Sequence, residues 1–226
     1  MIIAEKKQLE EIKAMLQGYR KVLNVGCGGC TSVCLAGGLK EVEDLCTQLT
    51  ISLEGDRVVF EAEGYTVERQ CEPHFLAQLD EIVKPYDALL SLGCGAGTQL
   101  LAERYPDKPV FPALNTVFIG VNRDIGWYEE RCKSCGDCVL GMTGGICPNA
   151  LCAKGLLNGP CGGPKDDHCE VNAEVPCAWI RIYERLKAQG RLENILTICP
   201  AREWQDQVQG TLILQPYRDR YAKKDK

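Results

Sequence analysis

Histidine is almost missing from this chain, with two in 226 residues. A cysteine nucleophile ordinarily works with an imidazole base beside it, so nucleophilic catalysis has few residues to draw on. An excess of positive charge is lacking as well. The net charge is −5, and with no basic face before the tail, nucleic acid is not expected as a partner. The opening MIIAEKKQLEEIK has no apolar h-region, so a secretory signal is not expected. Apolar runs are all far too short to span a bilayer, which argues against membrane insertion. No internal repeat is present. What remains is the expectation of a soluble cytoplasmic protein of one domain or two small ones, with enough apolar residues for a core.

Cysteine is what the chain has in quantity, fifteen in all. Disulfide staples are the first reading of a cysteine-rich chain, and three observations oppose it. The number is odd, no export signal is seen, and the cysteines are bunched at CxxC spacing instead of being spread between loops. In a reducing compartment such bunches bind metal.

Eight of them fall between Cys132 and Cys177. The run opens Cys132-x-x-Cys135-x-x-Cys138, the spacing of a ferredoxin-type loop, whose short turns aim successive thiolates at one iron–sulfide core. Cys147-Pro148 adds the Cys-Pro step that often closes such a loop. Cys152, Cys161, Cys169 and Cys177 supply four more thiols, so eight ligands would serve two [4Fe-4S] clusters. Spacing alone leaves their connectivity open. Zinc prefers paired CxxC knuckles separated by a loop, and only one such run is present; it stays as the alternative at one of the sites. His168 neighbours Cys169 but reads as a solvated loop residue. Cys46 falls mid-helix and reads as core, and Cys199 is a spare ligand candidate. Glu129, Glu130, Asp166 and Asp167 read as surface charge, and Lys154 and Lys165 as exposed lysines that could offset cluster charge.

The first half alternates strand and helix patterns. Residues 3–20 carry an amphipathic stripe (Ile3, Leu9, Ile12, Leu16) that predicts a leading helix. Val22–Val25 reads as a buried strand entering a glycine-rich turn, and a helix is expected over about 33–49. A hairpin at Gly55-Asp56 is an option, followed by strands near 65–69, 88–92 and 110–114. The fold class is therefore α/β, a small doubly wound parallel sheet of the Rossmann or flavodoxin kind over residues 21–125. Residues 126–200 form a cysteine-rich, metal-stabilised irregular domain with one clear helix over 178–189, and 201–226 a charged tail.

Cys27, Cys30 and Cys34 follow the first strand of the sheet, Cys71 the second and Cys94 the third. All lie at the carboxyl edge, where open α/β sheets bind ligands. Cys30, Cys34, Cys71 and Cys94 are the favoured ligands of a third cluster, with Cys27, closest to its strand, expected to turn into the core. Gly93-Cys94-Gly95-Ala96-Gly97 is only part of a dinucleotide fingerprint, so a nucleotide-binding regulatory domain is the weaker alternative.

GLLNGPCGG (155–163), TGGICPNALCAK (143–154), CKSCGDC (132–138) and EVPCAWIRIYERLK (174–187) together resemble the methylenetetrahydrofolate reductase C-terminal domain family. NVGCGGC, VCLAGG, ERQCEP, LSLGCG and PALNT in the first half are similar to it too. A chain of this size in that family resembles the small iron–sulfur subunit of two-subunit reductases from acetogenic bacteria. The resemblance implies a partner flavoprotein that carries the flavin and reduces 5,10-methylenetetrahydrofolate to 5-methyltetrahydrofolate in one-carbon metabolism. It also implies ferredoxin, or another low-potential donor, as the source of electrons. Neither the eightfold βα pattern nor the length of a TIM barrel is present here. On this resemblance the chain carries two to three [4Fe-4S] clusters and is not itself catalytic on folate; a zinc-stabilised assembly subunit is the alternative.

Overall fold

The computed structural model describes residues 1–54, 60–201 and 210–221. Two compact units emerge, Met1–Lys133 and Ser134–Lys226. In chain order the first contains β1 (Ile2–Lys6), α1 (Leu9–Met15), β2 (Lys21–Cys27), α2 (Cys30–Val33), α3 (Leu39–Glu54), β3 (Glu61–Val67), α4 (Pro73–Leu76), β4 (Ala88–Ser91), α5 (Gly95–Arg104), β5 (Val110–Pro112), β6 (Leu114–Asp124) and β7 (Trp127–Cys132).

Four of these strands make a parallel sheet in the order β3-β2-β4-β5. The chain starts at β2, steps to β3 on one side, then crosses β2 to reach β4 and β5 on the other. The winding therefore reverses between β2 and β4, and the crevice opens there at the carboxyl ends. Alternation along β2 sorts the core into two faces. Val22 packs with Val42 and Leu49 of α3 and with Leu90. Leu23 and Val25 pack on the opposite face with Leu76, Leu79 and Leu101, on the side of α4 and α5.

The amino terminus departs from the expected leading helix. Ile2–Lys6 is a strand, paired antiparallel with β6, and β6 pairs antiparallel with β7 to complete a three-stranded sheet. Ile3 serves a strand face as readily as a helical stripe, and its pairing partner Phe118 lies more than a hundred residues away in sequence. The helix expected from 33 begins at Leu39, after the one-turn α2. The hairpin proposed at Gly55-Asp56 lies outside the described residues, as do 202–209 and 222–226 of the tail.

The second unit is mostly loop, with α6 (Pro148–Leu151) and α7 (Ala178–Ala188). Its apolar centre is small: Ile146, Trp179, Ile182 and Leu186 are buried together. α7 stops where expected, at Gly190, whose φ of +67° suits glycine, with the Arg191 amide returning to the Leu186 carbonyl at 2.9 Å. No helix among the described residues is long and apolar enough to cross a membrane.

Candidate metal centre

None of the fifteen cysteines is in a disulfide. In the second unit, four of them wall one cavity: Cys152, Cys161, Cys169 and Cys177 line it together with Lys154, Glu170 and Trp179. Local backbone structure explains the gathering. Cys152 directly follows α6, and Cys177 is the N-cap of α7. Between them the loop is folded back on itself, with the Cys169 amide bonded to the Val175 carbonyl at 2.9 Å and the Cys177 amide to the Asp167 carbonyl at 2.8 Å. Asp166 and Asp167 both take positive φ, at 47° and 66°, to make that reversal.

The cavity favours a thiolate at Cys169. Hydrogen bonds from the backbone at Val171, and then at Asn172, hold its pKa below the ordinary thiol value, with smaller help from Ala153 and the Lys154 charge. Lys154 is ion-paired with Glu170, and the Cys161 thiol reaches Glu170 Oε1 at 3.5 Å. Trp179 closes one wall and donates its indole N–H to the Leu156 carbonyl at 2.9 Å. His168 is exposed, and its Nδ1 lies 2.7 Å from the Asp166 carbonyl.

The remaining members of the run sit elsewhere. Cys132 ends β7 in the first unit, exposed. In the second unit, Cys135 accepts a hydrogen bond from Asn149 Nδ2 at 3.3 Å. That contact brings it towards Cys147, the N-cap of α6 two residues before Asn149. Ser134 and Gly136 both have positive φ, at 48° and 81°, so the loop turns sharply at each step between its thiols. Cys138 is exposed. Cys199 is held near the Leu157–Pro160 loop by paired bonds, its amide to Asn158 Oδ1 at 2.7 Å and its carbonyl from Asn158 Nδ2 at 3.0 Å.

At the sheet edge of the first unit the expected set divides. Cys34 belongs to the apolar cluster shared by β1 and α3, with its thiol 3.5 Å from the Ala4 carbonyl. Burial there raises its pKa. Cys71 has a different company. Its pKa is raised first by burial and then by the thiols of Cys27, Cys94 and, more weakly, Cys30. Cys46 is half-buried against the core, accepting from Asn24 Nδ2 at 3.1 Å.

Among the described residues, no three His, Cys, Asp or Glu side chains converge on a point where a single metal ion would sit. The four thiols of the second unit instead stand around the walls of a cavity. Four thiols are the soft donors there, beside the ion-paired Lys154 and Glu170; thiolates are the ligands that an iron–sulfur core takes.

Residues 111–205 match the family model described as "Methylene-tetrahydrofolate reductase C terminal". The match covers less than half of the chain; it takes in every thiol from Cys132 to Cys199 and begins beyond the sheet-edge cysteines. No match was found among curated proteins or solved structures. Within the matched segment, Asn149 and Glu170 were not singled out by sequence. Their one signal was position, two residues after Cys147 and one after Cys169.

Proposed function

We propose that this chain is the iron–sulfur electron-transfer subunit of a methylenetetrahydrofolate reductase. It passes electrons from a low-potential donor such as reduced ferredoxin to a partner flavoprotein, which reduces 5,10-methylenetetrahydrofolate to 5-methyltetrahydrofolate. The observation that carries the proposal is the ring of Cys152, Cys161, Cys169 and Cys177 around one cavity. His168, next to Cys169 in sequence, is exposed and has its Nδ1 at the Asp166 carbonyl, which does not favour a role as base for a nucleophilic thiol.

Bound there, a [4Fe-4S] cluster supplies reversible one-electron chemistry at a potential set by ligands, hydrogen bonds and burial. The chain's own residues set those terms. Cys152, Cys161, Cys169 and Cys177 would be the ligands. The backbone around Val171 and Asn172 directs hydrogen bonds to the Cys169 sulfur, which favours the charged ligand. Lys154 places a cation against the anionic site, and Trp179 and Leu151 keep water from one side. The sequence spacing of Cys132, Cys135, Cys138 and Cys147 supports a second cluster. On the family resemblance, folate and flavin belong to the partner. Free thiols and cluster chemistry both suit a reducing cytoplasm.

Anaerobic purification followed by iron, sulfide and zinc analysis tests the proposal. About eight irons per chain support two clusters and about twelve support three, at four irons per four-thiolate site. The chain reduced with dithionite should then reduce the flavin of the partner reductase. Zinc with negligible iron overturns the relay.

A further inference from the structure

A cavity of about 60 Å³ opens in the first unit, between α1, the start of α3 and the carboxyl end of β4. One water needs about 10–15 Å³ by the same measure, so a short organic group has room there. From α3 come Glu41, Asp44 and Gln48, spaced i, i+3 and i+7, which places them on one stripe of the helix. Leu9 and Ile12 of α1 and Leu92, the residue after β4, supply apolar wall. Apolar side chains and carboxyl groups thus share the cavity, and both carboxyls stand on α3.

Glu41 is the unusual member, because it is only 8% exposed. Its Oε2 accepts the Gly38 amide at 3.0 Å, the return bond of a capping box at the start of α3. Capping occupies one oxygen and is met equally well at a solvated helix end, so it does not account for the burial. Among the described residues no other hydrogen bond and no ion pair reaches this carboxyl. Glutamate is seldom buried so far without a partner for its charge. A cation placed in the cavity would supply one, and it would act with little competition from water. Asp44, one turn along the stripe, is exposed and has no ion-pair partner among the described residues either. The two lysines of the lining do not take the place. Lys7 is paired with Glu11 at 2.5 Å, and Lys6 is exposed with no carboxylate in ion-pair range among the described residues.

We propose that this cavity binds a primary alkylammonium group, with its charge against Glu41 and Asp44 and its stem against Leu9, Ile12 and Leu92. The group can come from a free aliphatic amine or from a lysine side chain of another protein. The proposal is independent of the iron–sulfur reading, since every residue it uses belongs to the first unit and none is a thiol.

Saturation-transfer NMR titrations of the full-length chain test it. The probes are n-butylammonium, its neutral and anionic counterparts 1-butanol and butyrate, and Nα-acetyl-lysine amide as a lysine side chain on a blocked backbone. We expect butylammonium to bind about tenfold or more tightly than butanol or butyrate, as one charge-assisted hydrogen bond allows. Glu41→Gln keeps a capping side chain at the start of α3, since glutamine also serves in a capping box. It should therefore fold, as checked by circular dichroism, while its affinity for butylammonium falls about tenfold. Lys6→Gln should bind the amine as well as wild type or better. Blocked lysine binding as tightly as butylammonium supports the site with a protein as the source of the group; much weaker binding supports it with a free amine. The proposal is overturned if the amine fails to bind, if butanol binds equally well, or if folded Glu41→Gln keeps the wild-type affinity. Preference for butyrate, lost in Lys6→Gln, would make the cavity an anion site and overturn it too.

Discussion

Ser91 donates its hydroxyl to Gln70 Oε1 at 2.7 Å, with both residues fully buried. The amide of the same glutamine donates to the Val25 carbonyl at 2.7 Å. Ser91 in turn accepts from the Gly93 amide at 3.2 Å and lies 2.9 Å from Thr98 Oγ1. One side chain thus ties the end of β2 to the end of β4 from the residue next to Cys71. These are the three segments that carry Cys27, Cys94 and Cys71.

Replacing Gln70 by leucine should cost roughly 1–3 kcal/mol: two buried hydrogen bonds are lost at about 0.5–1.5 kcal/mol apiece, while the Val25 carbonyl keeps the Leu92 amide and the Ser91 hydroxyl keeps Thr98. Urea denaturation of the full chain should show a lower midpoint. Gln70→Glu should lose stability too, since the Val25 carbonyl would face a carboxylate. A midpoint equal to wild type in Gln70→Leu would mean that the network does not hold the strand ends.

Gly37 sits where the loop after α2 presses on the sheet. A Cβ there would lie 1.9 Å from the Leu92 carbonyl oxygen, and its own carbonyl accepts the Cys27 amide at 2.8 Å. Gly37→Ala must move backbone, so the loss should be at least ~3 kcal/mol, the upper end of ordinary overpacking. Thermal unfolding followed by circular dichroism would reveal it. A shift within experimental error would show that the loop yields freely.

The centre of the sheet was legible because β2 and β4 each run into a turn of glycine and cysteine and α3 carries an apolar stripe. What was not legible has specific causes. β1 and β6 pair across more than a hundred residues, a separation that leaves no local trace in sequence. The side to which Cys27 turns was hidden because Val22 to Cys27 is buried on both faces. An unbroken buried run shows no alternation from which to read direction. In the second unit the CxxCxxC spacing identified ligand chemistry. The sorting of Cys152, Cys161, Cys169 and Cys177 into one cavity depends on backbone turns at Asp166 and Asp167 that composition does not announce.

The second unit's apolar centre is small enough for one residue to matter. Ile182 is fully buried against Ile146, Trp179 and Leu186. Ile182→Ala should cost about 2–4 kcal/mol by cavity formation, and α7 carries Cys177 at its N-cap. If the second unit holds a cluster as proposed, its iron should therefore become easier to remove with a chelator. Equal chelation rates in wild type and Ile182→Ala would separate the helix from the metal centre.

Asp80 links the turn after α4 to α5. Arg104 bonds both its oxygens, at 2.8 and 2.6 Å, and the Tyr105 hydroxyl adds a bond at 2.9 Å. The hydrogen bonds from Arg104, and then from Tyr105, hold the Asp80 pKa below its ordinary carboxylate value. A carboxyl depressed in the folded state binds its proton more readily when unfolded. Its stabilising contribution is therefore complete above the unfolded value, near 3.9, and disappears as the pH falls through the lower folded value. Asp80→Asn should consequently melt below wild type at pH 6–7, and the gap should narrow as both are titrated towards pH 3. Because the group is at the surface, the gap should also shrink in high salt. A gap that stays constant from pH 7 to pH 3 would place the effect in packing around Tyr105, and the carboxylate charge would have no part in it.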